Sequence, residues 1–297
     1  MNSGEWNFAP VMKNPVLEQQ LKEDGYVVIK GFLDQETVSK LISYNTKYRQ
    51  EQHHDGIFNS VWHSNDVEYK KRTLETLINL YTPFCEKYFK DHRIFGGSYI
   101  SKPPHGKGES NPHIDFGIVD ESVYRSFSLW LPLVPMREDN GALRVLKGSH
   151  RLDKHVFRGP NIPDQTIDIR DWLWEHMDQL FVDPGDAVIY DHKAIHGSKD
   201  NFSDVDRIAA TAAITNANAE MVLYFWEESA KKVFGYNTNP EYLLTNSHDK
   251  LPTTLEIAGE WNYEANQLTL GDLGIEVDST TSESGIMHKI RSLFQSN

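Results

Sequence analysis

The chain has 297 residues, a net charge of −13, 39% hydrophobic and 11% aromatic residues. This is a globular composition rather than a disordered one, and an acidic chain with no basic run of five residues argues against a nucleic-acid partner. One cysteine, Cys85, excludes both an intramolecular disulfide and a Cys-x-x-Cys metal site.

In chain order, Val16, Leu17 and Leu21 stand at helical spacing over residues 16–24, and Gly25 stops that helix. Tyr26 to Ile29 is a short run between Gly25 and Gly31 and reads as a strand. Asp34 is placed to cap a helix through Val38, Leu41 and Ile42. Residues 45–70 show no period and read as a long irregular segment. Residues 71–91 read as a helix with Leu74, Leu77, Ile78 and Tyr81 on one face, kinked or divided at Pro83. From Ile94 the pattern becomes β, with strands expected over 94–102, 126–134, 142–147, 179–182, 186–191, 207–215 and 221–226. Turns punctuate them at Pro103-Pro104, Asp139-Asn140-Gly141, Lys147-Gly148-Ser149 and Asp183-Pro184-Gly185-Asp186. A helical insertion is expected from Trp172 to Met177, a linker over 279–285 and a short helix over 286–294. Many short strands with turn punctuation indicate a sandwich or jelly roll.

We therefore expect one domain over 1–297. It has a helical N-terminal part of about 1–93, a β core of about 94–226 and a C-terminal extension of about 227–297. No apolar stretch approaches the roughly 20 residues of a membrane span. Met1 to Trp6 shows neither a basic nor an apolar leader segment. No membrane association and a cytoplasmic, reducing location are expected.

Thirteen histidines have to be sorted. His113-Ile114-Asp115 is a His-x-Asp pair, and on a strand residues i and i+2 point the same way. Two histidines and one carboxylate can bind Fe(II) on one face and leave three positions for a cosubstrate and O2. His-x-Asp recurs by chance, so the pair alone is weak. A strand ending in His196 would bring a third ligand across a barrel. Eleven residues on, Arg207 opens the apolar strand Ile208–Ile214, where a guanidinium can grip a carboxylate in bidentate fashion. His192 is the competing histidine and reads as a pocket wall or substrate contact, with Tyr190 on the same face. Arg144 lies between Leu143 and Val145. If those two face the core, Arg144 points the other way, either to a substrate anion or to solvent or an acid. His150 and Arg151 read as turn residues, and His53, His54 and His63 as exposed residues or a lid.

The opening Glu23-Asp24-Gly25-Tyr26-Val27-Val28-Ile29-Lys30-Gly31-Phe32-Leu33 resembles that of the phytanoyl-CoA dioxygenase family of Fe(II)/2-oxoglutarate oxygenases. So do Leu129-Trp130-Leu131-Pro132, Asn140-Gly141-Ala142-Leu143 and Lys147-Gly148-Ser149-His150-Arg151, with Lys147 where the family commonly has Pro. Gly185-Asp186, His196-Gly197-Ser198 and Arg207 are similar to its last block, and the resemblance runs from about residue 17 to 215. It implies a mainly β fold, a double-stranded β-helix (jelly-roll, cupin-like) with flanking helices. It implies His113, Asp115 and His196 as iron ligands, Arg207 and Ser198 on the distal carboxylate of 2-oxoglutarate, and Trp130 lining that pocket. The implied chemistry consumes O2 and 2-oxoglutarate, gives succinate and CO2, and hydroxylates a C–H bond of a small molecule. Asp115 stands where related halogenases have Gly or Ala, which favours hydroxylation. An amino acid or biosynthetic intermediate is the favoured substrate. Desaturation or cyclisation on the same scaffold, a non-catalytic jelly-roll binding protein and a zinc hydrolase are the alternatives.

Overall fold

The helices form where side chains cap them and one face is apolar. Helix α1 (Pro15–Asp24) starts at Asn14, whose side chain accepts from the Val16 amide, and ends at Gly25 with φ +80°. A Cβ at Gly25 would lie 2.4 Å from Nδ1 of His150, so the glycine serves both the left-handed turn and the packing of the Ser149-His150-Arg151 turn against the helix end. Strand β1 (Tyr26–Ile29) follows. Helix α2 (Gln35–Tyr48) begins where the Asp34 carboxylate accepts from the Thr37 amide at 2.7 Å. Leu41 is buried in it, whereas Ile42 is exposed.

The structure, a computed structural model, describes residues 8–49, 59–106, 108–152, 156–246 and 250–275. His53, His54, the linker over 279–285 and the helix over 286–294 lie outside these residues. The expected irregular segment 45–70 is a correction, since its described parts are mostly ordered. They hold the end of α2, strand β2 (Asn59–Ser60), a short 3-10 turn (Val61–His63) and the start of helix α3 (Val67–Tyr88). Two caps explain these starts, Ser60 accepting from the Trp62 amide and Asp66 from the Tyr69 amide. Pro83 lies inside α3 and does not divide it.

The β region alternates between two sheets. Strands β3 (His92–Lys102), β5 (Ser126–Pro132), β8 (Ala187–Asp191) and β10 (Arg207–Asn216) join β1 and β2 in a six-stranded sheet of order β1-β8-β5-β10-β3-β2. Strands β4 (Ser110–His113), β6 (Arg144–Val145), β7 (Asp178–Gln179) and β9 (His196–Ser198) form a four-stranded sheet of order β4-β9-β6-β7. Helix α4 (Arg170–His176) is the expected insertion between β6 and β7. Successive strands thus cross from one sheet to the other, which is a jelly roll of the double-stranded β-helix type.

Alternation along the large sheet separates two layers. Phe127, Leu129, Leu131, Ile189 and Ala210 pack outward against Leu21, Leu41, Leu77 and Tyr81 of the helices. Trp130, Val188, Tyr190 and Ala209 turn inward, towards Leu143 and Val145 of the small-sheet side. Past residue 215, β11 (Met221–Glu227), β12 (Lys232–Thr238) and β13 (Ile257–Asn262) make a third antiparallel sheet, with helix α5 (Pro240–Thr245) between the last two. No helix of the described residues is long and apolar enough to cross a membrane.

Candidate metal and cosubstrate site

The site is set by one cross-strand pair. Strands β4 and β9 run antiparallel with His113 directly opposite His196, so the two rings meet with centroids 4.3 Å apart. Strand β9 begins at His196 instead of ending there, which corrects the expected boundary. Its middle residue, Gly197, lets the strands approach this closely. A Cβ there would lie 2.9 Å from the Ser110 carbonyl oxygen and 3.0 Å from the Pro112 nitrogen.

Asp115 follows two residues after His113. Its Oδ1 lies 3.7 Å from Nε2 of His113 and 3.7 Å from Nε2 of His196. The three ligand atoms all lie within 4.8 Å of one another, close enough to hold one metal ion. Both histidines point the same nitrogen inward because the other is engaged. Nδ1 of His113 is 2.7 Å from the Asn111 carbonyl and Nδ1 of His196 is 3.0 Å from the Ala194 carbonyl. Nδ1–H donating to a carbonyl leaves Nε2 unprotonated, the form a metal needs. Burial pushes His196 down to about 4, against the pull of Asp115. Burial works against the Asp115 charge, but His196, His192, His113 and Arg158 outweigh it and hold the carboxyl below its ordinary range.

Asp115 is braced from behind. The Arg158 Nε–H donates to the Asp115 carbonyl at 2.8 Å, and the same guanidinium forms a buried two-point pair with Glu121. Burial alone would raise Glu121, but Arg158 holds it at about 2. The Ser128 hydroxyl reaches Oδ2 of Asp115 at 3.4 Å and Nε2 of His192 at 3.1 Å.

A cavity of about 480 Å³ opens between the two sheets and contains the cluster. Trp130, Tyr190, His192, Ser198 and Arg207 all line it. Arg207 is 2% exposed, and its Nε and Nη1 have no hydrogen-bond partner. Its Cζ lies 5.8 Å from the centre of the Trp130 ring, and burial pushes the guanidinium down to about 9. Directly opposite it across β10 and β3 stands Lys102, a second buried basic residue. The Lys102 amino group donates to the Ser198 and Lys199 carbonyls, both at 2.8 Å, and burial followed by Arg207 lowers it to about 6, so that it is neutral at pH 7. A buried guanidinium with two N–H groups unpaired is unfavourable without an anion beside it. A dicarboxylate held in front of Arg207 satisfies that requirement, so this wall fits 2-oxoglutarate.

Arg144 is a correction. It does not line the cavity, because its guanidinium donates to Gln179 Oε1 at 2.6 Å and to the Trp174 carbonyl at 3.3 Å. The alternation argument was sound, but the inward residue is Leu143. His150 is buried, with Nε2 3.1 Å from the Lys22 carbonyl, and serves the fold. Asp186 closes its turn on the Gly31 and Asp183 amides. The sequence reading missed Lys102, Arg158, Glu121, Ser128 and Trp62. A lysine ending the apolar run 94–102 was the one visible signal among them.

A double-stranded β-helix with this cluster between its sheets makes the chain a jelly-roll protein with a candidate metal site in its barrel. Residues 21–209 match the model of the family described as phytanoyl-CoA dioxygenase (PhyH), and the chain belongs to that family. Phytanoyl-CoA dioxygenase domain-containing protein 1 of Mus musculus is 29% identical over 173 residues, 55% of this chain and 54% of that protein. Phytanoyl-CoA dioxygenase 1 of Oryza sativa subsp. japonica is 29% identical over 154 residues, 50% of this chain and 52% of that protein. The chain thus spans about half the length of these curated relatives. Among solved structures, EctD from S. alaskensis with 2-oxoglutarate and 5-hydroxyectoine is similar with a TM-score of 0.50 and 18% identity. That match covers 74% of this chain and 81% of EctD, and it bears on the fold alone.

Proposed function

We propose that the chain is an Fe(II)- and 2-oxoglutarate-dependent hydroxylase of a small molecule, with His113, Asp115 and His196 as metal ligands and Arg207 as anchor of the distal carboxylate. The observation that carries this is the buried, unpartnered guanidinium of Arg207 in the cavity that holds the His-Asp-His cluster. A structural arginine finds its partner within the protein, as Arg158 and Arg144 do here.

When bound, Fe(II) with 2-oxoglutarate and O2 supplies an oxidative decarboxylation that yields succinate and CO2 and oxidises the substrate C–H bond. The protein's residues orient and exclude. The Asn111 and Ala194 carbonyls fix the two imidazoles, and Arg158 and Ser128 fix Asp115. Trp130 and Ser198 line the same cavity as Arg207 and would flank a carboxylate held there, keeping water from it. In this reading the C-terminal extension belongs to the same domain, since Leu223 of β11 and Leu243 of α5 complete the cavity wall.

The test is succinate formation by protein loaded anaerobically with Fe(II) and then given 2-oxoglutarate and air. The unaltered chain is expected to form succinate above background. His113→Ala and Asp115→Ala are expected to reduce this to background with the fold intact by circular dichroism. Full turnover in either variant overturns the assignment.

A further inference from the structure

We infer that the substrate side of this cavity takes a neutral, predominantly apolar molecule held by hydroxyl and imidazole hydrogen bonds. The inference rests on the assignment of His113, Asp115, His196 and Arg207 to metal and cosubstrate. Set those four aside, and no other Asp, Glu, Lys or Arg lines the cavity among the described residues. What is left is largely Trp62, Phe95, Ile118, Leu143, Leu223 and Leu243. The polar groups among them are hydroxyls, such as Ser128 and Thr211, and the imidazoles of His63 and His192.

A carboxylate or ammonium moved from water to such a wall would lose its hydration with no opposite charge in return, which is costly by several kcal/mol. That disfavours a free amino acid, whose two charges would both need partners. It also disfavours a CoA thioester whose phosphates enter the cavity. The expected preference for an amino acid or biosynthetic intermediate leaned on Arg144 or the 45–70 segment, and the Arg144 guanidinium is already occupied by Gln179 and Trp174. Size agrees with a compact organic molecule. The cavity of about 480 Å³ is within the range of roughly 300–1,000 Å³ that accommodates drug-sized ligands, and it is shared with the cosubstrate.

The experiment uses the full chain saturated with Zn(II) and 2-oxoglutarate, so that Arg207 is engaged and no turnover occurs. Calorimetry first reads the binding of these two. Three probes of one shape then follow: 1-adamantanol, 1-adamantanecarboxylate and 1-adamantylammonium. Their affinities are read by tryptophan fluorescence, with Trp62 and Trp130 as reporters, and by equilibrium dialysis. The alcohol is expected to bind about tenfold or more tightly than either ion, with no competition from leucine or decanoyl-CoA. Ala213→Phe projects a ring into the cavity from β10 and is expected to weaken the alcohol by about tenfold while Zn(II) and 2-oxoglutarate still bind. Equal or tighter binding of either ion, competition by leucine or decanoyl-CoA, or an unchanged alcohol affinity in Ala213→Phe overturns the substrate class alone. Failure of Zn(II) and 2-oxoglutarate to bind in the first step overturns the site assignment and this inference together.

Discussion

Arg207→Met is expected to stabilise the ligand-free protein and to destroy its response to 2-oxoglutarate. The guanidinium is 2% exposed and held down to about 9 by burial. At 1.36 kcal/mol per pKa unit, the charged form carries a penalty on the order of 5 kcal/mol. At pH 7 the group is protonated both folded and unfolded, so the whole penalty is present there. It relaxes only as pH rises through about 9. Loss of the contact with Trp130 takes back about 1–2 kcal/mol. Methionine is apolar and flexible enough to fill the space, leaving a net gain of about 3 kcal/mol. At about 2–4 °C per kcal/mol, the melting temperature should rise by roughly 6–12 °C. Binding moves the other way. Two charge-assisted bonds lost in a buried site remove about 3 kcal/mol, or roughly 100-fold in affinity for 2-oxoglutarate. Differential scanning fluorimetry with and without Mn(II) and 2-oxoglutarate reads both effects at once. A lower melting temperature in the ligand-free variant, or an undiminished 2-oxoglutarate shift, would refute the assignment of Arg207 as an anion anchor.

Gly197→Ala should drive β4 away from β9, since its Cβ would meet the Ser110 carbonyl at 2.9 Å. The expected result is a fold weakened by about 1–3 kcal/mol and a metal affinity lowered by about tenfold or more, measured by Co(II) titration in the visible spectrum. Glu121→Gln leaves the Arg158 charge buried without its partner. It is expected to lower stability by about 3–5 kcal/mol in urea unfolding. The unaltered protein should show the matching pH dependence. The Glu121 carboxyl lies at about 2 when folded, so its contribution is present above the ordinary carboxyl range. It is lost as pH falls from about 4.5 towards 2, and urea midpoints that stay level across that window would contradict the pair's role. Leu243→Ala, in the extension, should leave succinate formation without substrate intact while weakening 1-adamantanol binding by several-fold, as the cavity wall retreats.

The residues that announced themselves in the sequence were those tied to regular local geometry. His113 and Asp115 sit two apart at a strand end, and Arg207 opens a ten-residue strand whose apolar pattern is plain. Long strands such as β3 and β10 were legible because an extended apolar run bounded by turn signals had room to show. The two-residue strands β6 and β7 offered no such length, and the direction of Arg144 could not be read from its neighbours. The partners that hold the Arg144 guanidinium, Trp174 of α4 and Gln179 of β7, lie 30 and 35 residues further along the chain. The brace of Asp115 was invisible for the same reason, because Arg158 and Glu121 are 37 residues apart and meet only through the third dimension. In the 45–70 segment, short caps at Ser60 and Asp66 organise a wall that has no hydrophobic period.

The pairing of His113 with His196 joins residues that are 83 positions apart in the chain, at the edge of a sheet whose strands are only two to four residues long. Such a sheet has few backbone bonds of its own, so an ion shared by the two rings and Asp115 would act as a rivet between its first and second strands. Amides of β4 and β9 should then be among the last to exchange with solvent in the metal-loaded protein and among the first in the stripped one, while the helix-backed large sheet barely changes. Metal supply would in that case govern how long the protein survives in a cell as well as whether it turns over.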